Sequence, residues 1–161
     1  MKVLLLNGSP RKNGCTYTAL NVVADALKAE GIDAEVFQAG DPDMENVKAA
    51  AAKLKDSDAL VVGSPVYWAS PSGQIIEFMD RLASVAGKDM LYKPAAAVAS
   101  ARRAGTTATL DVLTKYFSYH QMPVVSSCYW NMVHGNTPEE VMKDEEGVQI
   151  MRVLGKNMAW L

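Results

Sequence analysis

Two cations, two hydroxyls and two glycines fall within one short stretch, Asn7-Gly8-Ser9-Pro10-Arg11-Lys12-Asn13-Gly14-Cys15-Thr16, directly after the apolar run Val3-Leu4-Leu5-Leu6. Such a stretch suits an anion cradle. A buried strand ends at a fixed point, Gly8 and Gly14 let the backbone turn its N–H groups inward, and the next helix contributes the partial positive charge of its N-terminus. Arg11 adds a fork of donors matched to a phosphate, and Ser9, Thr16 and Thr18 each offer a hydroxyl. The competing reading is a solvated strand-to-helix turn with no ligand.

Elimination narrows the anion. A nucleotide triphosphatase loop needs Gly, four residues, then Gly-Lys-Ser/Thr, whereas five residues separate Gly8 from Gly14 and Cys15 stands where the lysine belongs. A dinucleotide fingerprint needs a central glycine where this chain has Pro10. A cysteine-based phosphatase loop needs an arginine six residues after its nucleophile, and six after Cys15 comes Asn21. A monophosphate held by hydroxyls, backbone N–H groups and one arginine remains.

The elements around this loop must hold it in place. At 161 residues the chain is expected to form one domain, burying about 70% of its unfolded surface. Its cysteines, Cys15 and Cys128, lie far apart, give no metal spacing and suit a reducing, cytoplasmic setting. A net charge of −2 lacks the basic excess of a nucleic-acid binder, and no apolar run reaches the ~18 residues of a membrane span.

The apolar pattern then predicts a helix over residues 16–30 and a strand over Ile32–Phe37. Next come a helix over Met44–Lys55 and a central strand over Asp58–Gly63. A helix over Gly73–Ala86, a strand over Pro94–Ala99 and a helix over Thr106–His120 follow, and Pro123-Val124-Val125 starts a fifth strand. Thr137 and Glu140 read as a capping box, and the closing helix runs from Asp144 to Met158. Five strand–helix alternations predict a doubly wound, five-stranded parallel α/β sheet with helices on both faces. Ligands of such sheets lie beyond the C-terminal strand ends, where the strand order reverses.

The loops after the first, third and fourth strands share that edge. They supply a phosphate cradle, an aromatic wall at Tyr67 and Trp68, and a cationic rim at Arg102 and Arg103. That set suits a planar ring system on a ribityl monophosphate.

These loops resemble those of the flavodoxin-like NAD(P)H-dependent FMN reductases, in particular the branch that includes the iron–sulfur flavoproteins. Gly8-Ser9-Pro10-Arg11-Lys12-Asn13-Gly14-Cys15-Thr16 is similar to the family's phosphate signature. The run from Gly63 to Gln74, followed by Phe78-Met79-Asp80-Arg81, is similar to its second flavin loop, and Arg103-Ala104-Gly105 and Asp144-Glu145-Glu146-Gly147 are similar to family segments further along. The resemblance implies that FMN is held by Ser9, Arg11, Asn13, Gly14, Cys15 and Thr16, by Pro65, Val66, Tyr67, Trp68 and Ser70, and by Ser100, Ala101, Arg102, Arg103 and Gly105. The flavin would carry the chemistry, with no catalytic protein group and no metal. NADH or NADPH would be the donor and a quinone, a flavin or another small molecule the acceptor. A homodimer or homotetramer with the flavin near a subunit boundary is implied as well. One departure stands out: iron–sulfur members carry clustered cysteines after the second strand, where this chain reads Gln38-Ala39-Gly40-Asp41-Pro42-Asp43-Met44-Glu45.

Single residues keep two readings. Cys15 is a thiolate at a helix N-terminus or a small loop residue. His120 is a helix C-terminal dipole partner or a catalyst, and His134 a surface-loop histidine or a residue facing a neighbouring subunit. Trp68 is core, subunit contact or flavin wall, and Arg102 and Arg103 are solvated charges or anion contacts. Beside the oxidoreductase stand two other functions, a flavodoxin-like one-electron carrier and a non-catalytic FMN-binding protein.

Overall fold

In the computed structural model, which describes all 161 residues, Leu4 and Leu6 face one side of the sheet and Val3 and Leu5 the other, as strand alternation requires. Their strand, β1 (Lys2–Asn7), leads into α1 (Cys15–Ala29), β2 (Asp33–Gln38) and α2 (Met44–Lys55). Then come β3 (Ala59–Tyr67), β4 (Ser70–Pro71), α3 (Gly73–Met90), β5 (Ala95–Ala101) and α4 (Thr106–Tyr119). The chain closes with β6 (Met132–His134), α5 (Pro138–Lys143) and α6 (Glu145–Trp160).

The parallel strands lie in the order β2-β1-β3-β5-β6, so the connection order reverses at β1. Leu4, Leu6, Leu60 and Val62 meet Phe78 and Phe117 on the face covered by α2, α3 and α4. Val3, Leu5, Val61 and Val98 meet Leu20, Leu27 and Leu154 on the opposite face, under α1 and α6. The alanine-rich β5 is buried along its whole length, and its small side chains suit a strand covered on both faces.

The structure corrects three boundaries. The sheet has six strands rather than five, because β3 runs past Gly63 to Tyr67 and folds back as the antiparallel β4. Trp68 and Ala69 turn this hairpin at φ 53° and 55°, both left-handed, although neither is the glycine or asparagine that normally announces such a turn. Pro123-Val124-Val125 makes only an isolated bridge, Val124 against Ala95, and the fifth parallel strand is β6. Helix α3 continues past a kink at Ala86 to Met90.

Helix starts follow the sequence closely. Asp43, Ser72, Thr137 and Asp144 each cap a helix by accepting a backbone N–H. Thr137 accepts from Glu140 N, but the Glu140 carboxylate accepts from Asn136 N rather than closing the box on Thr137. No helix is long and apolar enough to cross a membrane.

Candidate functional site

The first loop leaves β1 at its buried C-terminal end and is tied down by side-chain amides. Asn7 donates to the carbonyls of Arg11 and Lys12 and to Gln38 Oε1, and its own oxygen accepts Ser9 N–H. Ser9 Oγ accepts from Arg11 N, which folds the loop back on itself. Gly14, the N-cap of α1, provides no capping side chain, and the backbone N–H groups from Lys12 to Tyr17 find no acceptor in the chain. Six free donors at a helix N-terminus, with Arg11 exposed beside them, form the geometry that receives an anion. Gly14 itself has an ordinary extended backbone (φ −92°, ψ −168°), so the loop turns without left-handed strain.

The second loop is the β3–β4 hairpin. Its tip presents Trp68, 100% exposed, with Tyr67 41% exposed beside it. Gly105 lies beneath the tip at φ 102°, where a Cβ would meet Ala69 Cα at 2.8 Å. The third loop follows β5. Ser100 Oγ and Thr16 Oγ1 share a hydrogen bond of 2.7 Å, which joins the third loop to the first, while Arg102 and Arg103 stay exposed.

A cleft of about 190 Å³ lies between these loops. It is lined by Ser9, Arg11, Cys15, Thr16, Pro65, Val66, Tyr67, Ser100, Ala101 and Arg102. Gly135 and Asn136, which follow β6, form a wall that the sequence reading missed. Of the residues expected from sequence, Asn13, Gly14, Trp68, Ser70, Arg103 and Gly105 do not line the cleft. Trp68 is therefore not core; it stands free at the hairpin tip. Larger cavities, of about 650 and 760 Å³, lie between α3 and α4 around Tyr119 and His120 and have no uncapped helix N-terminus.

Burial and hydrogen bonding describe three residues that the sequence left with two readings. Burial pushes the Cys15 thiol above its ordinary value despite the opposing pull of its own backbone N–H and of Arg11, and Glu140 and Glu139 add to the rise. The thiol points to Gly135 O at 3.6 Å, so Cys15 is a protonated wall residue rather than a thiolate. His120 caps α4, with Nδ1 2.7 Å from Tyr116 O; that carbonyl only accepts, so Nδ1 carries the proton. His134 places Nε2 3.1 Å from Arg103 O, and its backbone N–H donates to Asp144, the cap of α6.

The segment after β2, where the iron–sulfur branch has its cysteines, is a self-capped polar turn. Asp41 and Asp43 accept the N–H groups of Asp43 and Glu45, and Asn46 donates to the carbonyls of Gln38 and Asp41.

Known proteins match both the chain and the fold. The sequence profile of the family described as NADPH-dependent FMN reductase matches residues 1–137. An iron–sulfur flavoprotein of Methanocaldococcus jannaschii is 29% identical, over 99% of this chain and 96% of its own. An NADPH azoreductase of a Bacillus species is 30% identical, over 63% of this chain and 59% of its own. Among solved structures, the Trp repressor binding protein of Bacillus subtilis superposes with a TM-score of 0.78 at 17% identity, over 94% of this chain and 99% of its own.

Proposed function

The chain belongs to the NADPH-dependent FMN reductase family and is an FMN-dependent oxidoreductase that uses NAD(P)H; on that premise we propose that it passes electrons to a small acceptor, a quinone, a free flavin or an electrophilic molecule such as an azo compound, from FMN seated in the three-loop cleft. The observation that carries this reading is the uncapped start of α1. Its free N–H groups from Lys12 to Tyr17 lie beside Arg11 at the C-terminal edge of β1, where the strand order reverses.

When bound, FMN would supply the two-electron redox chemistry between the reduced nicotinamide and the acceptor. The chain's residues do the rest. Arg11 and the loop N–H groups would hold the monoester phosphate. Thr16 and Ser100 would receive the ribityl chain, and Pro65, Val66 and Tyr67 would form the apolar wall beside it. Arg102 sets a positive charge on the far rim. Ordinary ligand pockets run to about 300–1,000 Å³, so a cleft of about 190 Å³ is sized for the phosphate end of FMN, and the rest of the molecule would need the open rim beyond it. A second copy of the chain would cover that rim, in a homodimer or homotetramer. The 161 residues act as one FMN-binding domain, in the cytoplasm.

The test is steady-state turnover with NADPH and then NADH against a quinone, an azo dye and free FMN. Turnover with at least one acceptor, abolished in the flavin-free protein, is expected. Absence of turnover with every acceptor, together with tight FMN binding, would favour the carrier or the non-catalytic FMN-binding protein.

A further inference from the structure

The segment that lacks the cluster cysteines instead meets the phosphate loop. β1 and β2 are paired so that Asn7 lies opposite Gln38 at the C-terminal end of both strands. From there the Gln38 carboxamide reaches under the loop. Its Oε1 accepts Asn7 Nδ2 at 2.7 Å and its Nε2 donates to Ser9 O at 2.6 Å. Backbone carbonyls only accept, so the partners at Ser9, Arg11 and Lys12 fix which end of each amide is oxygen and which is nitrogen. Behind Gln38 the chain closes tightly on the same loop: a Cβ on Gly40 would fall 2.0 Å from Ser9 O, and Asn46 holds the Gln38 carbonyl from the side.

We propose that Gln38 is the positioning residue of the phosphate loop, holding Asn7 and the Ser9 carbonyl so that the free N–H groups at the start of α1 converge on a monoester phosphate. The proposal rests on the reading that FMN binds by its phosphate in this loop, and it adds a sharper consequence. Gln38 supports the loop from outside the cleft and touches none of the space left for the ribityl chain or the ring. Its contribution therefore belongs to the phosphate alone. Without it, the Ser9 carbonyl and the Asn7 amide each lose a partner, and the loop gives up the single arrangement that aims its donors. In this chain the turn after β2 serves the cofactor as a strut rather than as a cluster ligand.

The experiment compares FMN with riboflavin, which has the same ring and chain but no phosphate, by fluorescence titration of flavin-free protein. In the wild type, FMN should bind far more tightly than riboflavin. Gln38→Met removes both hydrogen bonds at nearly constant volume and adds no charge. It should weaken FMN by about tenfold or more and leave riboflavin within about twofold. Gln38→Leu also removes both hydrogen bonds without adding a charge, so it should show the same selective loss. It also serves as the test should the methionine variant not fold. Equal weakening of FMN and riboflavin would reduce Gln38 to a structural residue and overturn the proposal, as would unchanged FMN affinity in both variants. A wild type that does not distinguish FMN from riboflavin would overturn the phosphate-loop reading itself, a different outcome from a wild type that distinguishes them through a loop indifferent to Gln38.

Discussion

Arg11 is the one guanidinium on the first loop, and it is exposed, free of any ion pair and next to six unpaired N–H groups. Charge-assisted hydrogen bonds contribute about 1.5–3 kcal/mol, so Arg11→Ala should weaken FMN by about one to two powers of ten in equilibrium titration. Unchanged affinity would remove Arg11 from the site. Cys15 gives a prediction of opposite character. Burial raises its thiol pKa, so near neutral pH it carries less thiolate than an ordinary cysteine, whereas Cys128 is exposed. Iodoacetamide should label Cys128 first in the flavin-free protein, as peptide mass mapping would read, and preferential labelling of Cys15 would contradict the protonated-wall assignment. These residue types were legible in the sequence because cradle chemistry is local: Arg11, Ser9 and Thr16 lie within a few positions of one another. Gln38 was not, because its role comes from strand register, and nothing near it in sequence says that it faces Asn7.

Between elements, the hairpin β3–β4 holds two non-glycine residues in the left-handed region, at about 1–2 kcal/mol each. Ala69→Gly should relieve part of that cost and raise stability by about 0.5–1 kcal/mol in denaturant titration, and a loss of stability would show that the turn is not strained. Tyr116 joins α4 to α3 by donating to Asp80. Burial, then that hydrogen bond and the Asp80 charge, hold its phenol well above the ordinary value. A folded pKa above the unfolded value of about 10 means the contribution is complete below about pH 10 and is lost as pH rises beyond it. Tyr116→Phe should therefore lower stability near neutral pH and flatten the fall that sets in above about pH 10. An equally steep fall in the variant would assign the alkaline loss to other groups. Elements with a clear apolar period, such as α1 and α4, were legible from sequence. The hairpin was not, since a Trp-Ala turn lacks the residues that advertise left-handed backbone. β6 was mistaken because Val124 and Val125 look like a strand, yet only one bridge forms there before the chain detours through Ser126–Trp130.

At the scale of the whole molecule, the parallel order β2-β1-β3-β5-β6 brings the loops after β1, β3 and β5 to one edge, and both faces of the sheet are filled by apolar cores. With only Cys15 and Cys128, the chain cannot furnish the four thiolates of an ordinary cluster. Protein purified without oxygen should therefore contain flavin but no stoichiometric iron or acid-labile sulfide, and iron at one cluster per chain would contradict this. The exposed Trp68 and Tyr67 at the cleft rim predict self-association, which sedimentation would read as a dimer or tetramer. A strict monomer at micromolar concentration would leave the ring without its second wall. The most direct measurement mixes the FMN-loaded protein with NADPH, and separately with NADH, under argon and follows the visible flavin absorbance. Complete bleaching by at least one nicotinamide is expected, with one equivalent consumed per flavin and no paramagnetic one-electron state accumulating. A flavin that stays oxidised with both donors yet is reduced by dithionite would contradict it.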